Sequence, residues 1–250
     1  MNAKHKGAAK LWLLNLFGGA VLIAAVYFWL TLPDAHGWQV AGSGVLALLI
    51  AFFGLWLKTG SVGYFRMAEF RENGEVWRGF RHALPHLIPY AVWSAVLGAC
   101  ECWLWHLRMY APQFGVYAWQ QWHLHLGSPR QLYHAADWGL LILIWLLLPI
   151  LWLPVASTIA GLGLRHVARS WRVLRRPVYW IWFVVLMLIG AYVPYKLVWW
   201  IPDLSTLRRQ AWSAGARFAA AYVLVISAWV ALLLVTGERV EREDSASRNE

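Results

Sequence analysis

With 250 residues, of which 60% are hydrophobic and 14% charged, the chain cannot fold as a globule with a solvated surface, and the composition excludes a soluble catalytic domain. The formal charge of +10 would suit nucleic acid, but the Lys and Arg residues stand beside the apolar runs, where they set orientation and meet anionic lipid. Membrane lipid is therefore an expected partner and nucleic acid is not.

Six apolar runs are long enough to cross a bilayer as helices, which takes ~17–25 residues. They are Leu11 to Leu32, Val40 to Leu57, Leu84 to Leu107, Trp138 to Leu164, Val178 to Ile201 and Phe218 to Thr236. The first follows Lys4, Lys6 and Lys10, as a secretory signal would. Its core exceeds the ~7–15 apolar residues of a signal, so it reads as an uncleaved anchor. The second carries small residues at Gly44, Ala47, Ala51 and Gly54, a spacing that lets another backbone approach closely in lipid. The sixth repeats the device at Ala216, Ala220, Ser227 and Ala231.

Between the second and third runs, Lys58 to Ala83 contains the turn dipeptide Asn73-Gly74, flanked by two segments that read as short amphipathic helices. Val76, Trp77, Phe80 and Leu84 share a face bordered by Arg78 and Arg81, which predicts an interfacial helix with its cations at headgroups. The third run holds Glu101, an ionisable group at membrane depth that requires water or a partner. Cys100 and Cys102, two apart on a helix, point away from each other and are expected to be free thiols.

The stretch from Arg108 to Asp137 carries Tyr110, Phe114, Tyr117, Trp119, Trp122 and Tyr133. A loop of that length and aromatic content is expected to build interfacial helices or a cap. His123, His125 and His134 fall here and are the candidate metal ligands, because alternate residues of an extended strand share a face.

The fourth run is interrupted by Pro149 and Pro154 and followed by Ser157 and Thr158, so its hydrogen-bond ladder is expected to break. Broken helices line many transport sites, which makes these four residues a candidate substrate or ion path. The fifth run supplies Lys196 at a depth similar to that of Glu101, so an interhelical ion pair between them is geometrically allowed. The alternative has Lys196 snorkelling to headgroups while Glu101 reaches toward Arg108. Arg172, Arg175 and Arg176, with Arg78 and Arg81, are the expected headgroup contacts.

Sixteen basic residues, within Lys4–Lys10, Lys58–Arg81, Arg165–Arg176 and Arg239–Arg248, lie on the side of the termini, against four (Arg108, Arg130, Arg208 and Arg209) on the other. The positive-inside rule puts both ends in the cytoplasm of a bacterial-type inner membrane. Residues 1–237 read as one six-span domain and 238–250 as a charged, disordered tail. Twenty tryptophans form belts where spans meet water, while Trp145, Trp152 and Trp229 lie deeper and are expected to face other helices.

The chain has no phosphate-binding glycine loop, HExxH, GxSxG or acidic loop pair. The fold class expected is thus an all-α six-helix membrane bundle with an interfacial cytoplasmic helix pair and an aromatic-rich extracytoplasmic cap. The function expected is non-enzymatic: a subunit or scaffold of a membrane assembly, with other subunits or copies of itself as partners and no cofactor. The alternatives are a small secondary transporter using Glu101 and Lys196, and a metal-dependent membrane enzyme using the outer-loop histidines.

Overall fold

The computed structural model describes residues 3–33, 35–67, 70, 73–121, 128–202 and 206–246, with the backbone alone described at 3–5 and 237–246. Secondary structure among the described residues is entirely helical. In chain order the helices are α1 (Ala3–Leu30), α2 (Gly37–Arg66), α3 (Val76–Ala83), α4 (Leu87–Arg108), α5 (Ala111–Gln121), α6 (Pro129–Ile142), α7 (Leu148–Leu162), α8 (Ser170–Leu174), α9 (Pro177–Met187), α10 (Val193–Trp199) and α11 (Leu207–Ala246). A 3-10 turn, Leu84–His86, joins α3 to α4, and another, Leu164–Arg169, leads from α7 into α8. Two π-helical segments, Leu143–Leu147 and Leu188–Tyr192, weld α6 to α7 and α9 to α10.

These pieces give six helical runs long and apolar enough to cross a membrane: Lys6–Leu30, Gly37–Arg66, Val76–Arg108, Pro129–Leu162, Pro177–Trp199 and Leu207–Thr236. The chain has the architecture of a multi-pass membrane protein. Each run contains most of the corresponding apolar stretch, but α2 continues well past Lys58, and α11 continues unbroken past residue 237 to Ala246. The segment expected as a disordered tail thus continues the sixth helix through Ala246, in a stretch rich in Glu and Arg, both good helix formers.

Both π segments stand in the same relation to a proline, beginning six residues before it and ending two before it, at Pro149 and at Pro194. Proline lacks the N–H that would bond to the carbonyl four residues back, and its ring crowds that carbonyl. Inserting one residue lets the ladder re-form with i→i+5 spacing, so the helix passes the proline without ending.

Burial is concentrated at the end of the bundle where the basic loops lie. Thr59–Arg66 of α2 and Leu153, Pro154 and Ala156–Gly161 of α7 are buried there, with Leu11 and Asn15 of α1, Tyr179 and Phe183 of α9, and Leu232 and Leu233 of α11. Toward the opposite end the helices spread. Residues 37–56 of α2 include no buried position, and α4 buries only Tyr90. In one set of helices α1 and α2 pack on each other and on α11, which also carries α9 and α10; in another α4 packs on α7 and on α6, and α6 on α5; the two sets meet where α2 crosses α7.

Asn73-Gly74 makes the expected turn, with Gly74 at φ 68°, a left-handed conformation that glycine adopts without a Cβ clash. Residues 58–66 extend α2 and so make no separate helix. α3 turns Val76, Gly79, Phe80 and Ala83 onto α2 and leaves Trp77 exposed. Across the chain, α5 packs closely on α6 through Ala111, Gly115 and Ala118; Gly115 is essential to this approach, because a Cβ there would lie 2.8 Å from the Tyr133 amide nitrogen.

Candidate functional site

Glu101 sits on a stripe of α4, Tyr90, Ser94, Leu97, Glu101, Leu104 and Arg108, that recurs at four- and three-residue steps and is the less exposed face of the helix. Both ends of the stripe are tied. Tyr90 meets the Trp152 ring of α7 with centroids 5.9 Å apart, and Arg108 Nε donates to Asp137 of α6 at 2.5 Å. Glu101 lies about 10 Å inside Arg108, half-buried, with no hydrogen bond or ion pair among the described residues.

Lys196 does not meet it. The helix carrying Lys196 packs on α11, and its ammonium lies exposed over the Tyr192 ring, 5.5 Å from the centroid. Nor does Arg108 serve Glu101, since its guanidinium is engaged by Asp137 through two bonds, the second 3.2 Å long. In the sequence Asp137 only marks the end of the aromatic stretch, and nothing there points to this α4–α6 tie. Arg217, left unassigned from sequence, donates to the Leu197 and Val198 carbonyls, both at 3.4 Å, and so caps the exposed end of α10 with a cation.

In α7 the broken ladder is already repaired by protein groups. The carbonyl that Pro154 cannot satisfy is that of Ile150, four residues back, and the Tyr179 hydroxyl of α9 donates to it at 2.9 Å. Ser157 and Thr158 both donate to the Pro154 carbonyl at 2.8 Å. Pro149 stands at the end of its π segment. Ser157 and Thr158 thus direct their O–H donors into α7 itself, in a region where Ile150 and Thr158 are fully buried.

A polar knot joins the helices at the basic end. Asn15 Nδ2, on α1, donates to Ser61 Oγ of α2 at 2.8 Å, and Trp12 donates to Ser227 of α11 at 3.0 Å. The Lys58 ammonium stands 4.8 Å from the centre of the Trp229 ring. His82 donates to the Gly161 carbonyl at 3.0 Å, and the buried Arg66 side chain packs over Gly161. Here Gly163, at φ 82°, ends α7 where a side chain would be strained and would press on the His86 ring.

Beside the knot, α1, α2 and α3 enclose a groove of about 460 Å³. Its walls are wholly apolar, running from Leu14, Gly18, Val21 and Ala25 of α1 across to Phe53 and Trp56 of α2. At Leu14 and Trp77 it meets a second hollow of about 500 Å³ bordered by Lys10, Glu75 and Arg78. Arg78 and Glu75 are paired at 2.9 Å, and Lys10 is exposed. Sequence reading treated Arg78 as a general headgroup contact and missed the groove.

Of the candidate metal ligands, His123 and His125 lie outside the described residues; the His134 ring lies beside that of Tyr133, tilted by 40° with centroids 4.9 Å apart. Among the described residues no three His, Cys, Asp or Glu side chains converge to hold a metal. Arg78, Arg81, Arg172 and Arg175 are exposed at the basic end, and Arg176 is half-buried. Cys100 and Cys102 are free and exposed. Comparison with protein-family models, with curated proteins and with solved structures finds no match to the chain.

Proposed function

We propose that this chain is a non-enzymatic, multi-pass protein of a bacterial-type inner membrane that acts as a subunit or scaffold of a larger membrane assembly, with both termini cytoplasmic. In that orientation α3 lies at the cytoplasmic surface, α5 with the start of α6 forms the outer cap, and the arginines of the basic end meet headgroups.

The observation that carries this reading is the uncovered small-residue face of α2. Gly44 and Ala51 are exposed, and a Cβ built on Gly44 finds nothing within 4 Å. Ala216 and Ala220 of α11 are exposed in the same way. Lipid tails are as apolar as leucine, so helices associate in a bilayer through close packing at small residues rather than through hydrophobicity. A helix of another subunit, or of a second copy, can approach these faces; a leucine there would hold it off.

Gentle solubilisation followed by native mass spectrometry tests this. The wild type is expected as part of a complex of fixed stoichiometry, and Gly44→Leu is expected to release the chain without lowering its thermal stability, because a Cβ at that position has open space around it within the monomer and glycine is a poor helix former. A bare monomer from wild-type membranes would overturn the reading. The transporter built around the unpartnered Glu101 would then be the reading to pursue.

A further inference from the structure

We infer that the groove between α1, α2 and α3 binds one anionic phospholipid, with an acyl chain along the apolar walls and the phosphodiester between Lys10 and Arg78. This site is independent of whether the chain joins a larger assembly.

Three features of the groove converge on that ligand. Its walls present no polar group, so in a bilayer it excludes water and headgroups but accepts a hydrocarbon chain. Its length matches one leaflet: from Leu14 to Ala25 it follows α1 for eleven residues, about 16 Å at the helical rise, against roughly 15 Å for half of the hydrocarbon core. Finally, the charge lies at one end only. Lys10 is one turn from Leu14 on the same stripe of α1, and Arg78 faces it across the second hollow.

The local geometry favours a phosphodiester. Glu75 engages one terminal nitrogen of Arg78 and fixes the guanidinium, leaving its other N–H groups to donate. Lys10 brings a second cation with no ion pair or hydrogen bond among the described residues. Trp77, 62% exposed, stands where the two hollows meet, and an indole suits this junction of hydrocarbon and headgroup. The absent side chain of Gly18 deepens the floor: a Cβ there would already lie 3.2 Å from Leu57.

The test uses the full chain in detergent with phosphatidylglycerol or phosphatidylcholine of identical acyl chains, the bound lipid being counted by native mass spectrometry. Wild type is expected to retain one phosphatidylglycerol with about tenfold preference over phosphatidylcholine. Lys10→Gln with Arg78→Gln should abolish the preference, and Ala25→Trp, which fills the groove, should lower retention of both lipids. Both cations are exposed, so the double variant keeps the fold; Arg172→Gln with Arg175→Gln, at the same end, serves as the charge control. Equal retention of the two lipids by wild type would overturn the proposal. So would loss of preference in the control pair as large as that in Lys10 and Arg78, since that would make the effect diffuse charge, and so would unchanged retention in Ala25→Trp.

Discussion

The Tyr179–Ile150 bond offers a direct test of how the fourth span tolerates a central proline. Tyr179→Phe removes one oxygen and leaves the ring packed on Phe183. The Ile150 carbonyl, in a fully buried residue, then loses its donor, because Pro154 has no N–H to supply. Orphaning a buried acceptor costs about 1–3 kcal/mol in soluble proteins, and interhelical bonds in membrane proteins contribute about 0.6, rarely above 1.7. With both residues fully buried, the expected loss is about 1.5 kcal/mol, a little over tenfold in the unfolding constant. The informative comparison is with Pro154→Ala, which restores a backbone N–H for the same carbonyl. In that background Tyr179→Phe should cost no more than about 0.5 kcal/mol, a coupling of roughly 1 kcal/mol in the double-mutant cycle. Reversible unfolding in mixed micelles reads all four variants. An equal cost of Tyr179→Phe in the two backgrounds would refute the assignment of that hydroxyl to the proline gap.

The α4–α6 tie should behave as a unit. Arg108→Gln and Asp137→Asn are each expected to lose about 1–2 kcal/mol, since the pair is mostly shielded and each change strands its partner; the double variant should lose little more than either, as read by the same unfolding assay. Close approach at the α5–α6 hairpin makes Gly115→Ala costly by about 1–3 kcal/mol, because the new methyl would press on backbone atoms that cannot swing away. Gly98→Ala, on a helix with open space around it, should instead gain up to about 1 kcal/mol, and a loss there would argue against the open setting of α4.

Much of this fold is written in apolar run length, which depends on the bilayer alone and so is legible without tertiary information. All six spans were readable in this way, while the turn at Gly74 was read from its Asn-Gly dipeptide and the helix within the aromatic loop from the loop's length and aromatic content. What depends on packing was not. Lys58 looked like a span boundary, yet α2 runs on to Arg66, where α3, α7 and α11 pack on the helix and Thr59–Arg66 are buried. The apolar face of α3 is divided, with Val76 and Phe80 turned inward and Trp77 and Leu84 left exposed, and Trp145, expected to face a helix, is 54% exposed on the π segment before Pro149. One extra residue in a π turn rotates everything after it by about 100°, so a face extrapolated through the proline at constant period is misassigned. Equal depth made a Glu101–Lys196 pair allowable, but depth carries no azimuth, and the two helices belong to different halves of the bundle.

The one-ended distribution of burial also bears on how the protein meets membranes of unequal thickness. A bundle packed along its whole length must bend the bilayer or repack its core when the hydrocarbon layer thins or thickens. Here the basic end is knotted across α1, α2 and α11 by Asn15, Ser61, Trp12 and Ser227, while the ties at the opposite end join helices in pairs: Trp29 of α1 donates to the Ser43 carbonyl of α2 at 3.0 Å, and Arg108 of α4 to Asp137 of α6. Those pairs can change tilt without repacking the buried end, at a cost of fractions of a kcal/mol per Å of mismatch. Adaptation to thickness would thus be confined to one leaflet, leaving the knotted end a fixed reference from which each span is hung.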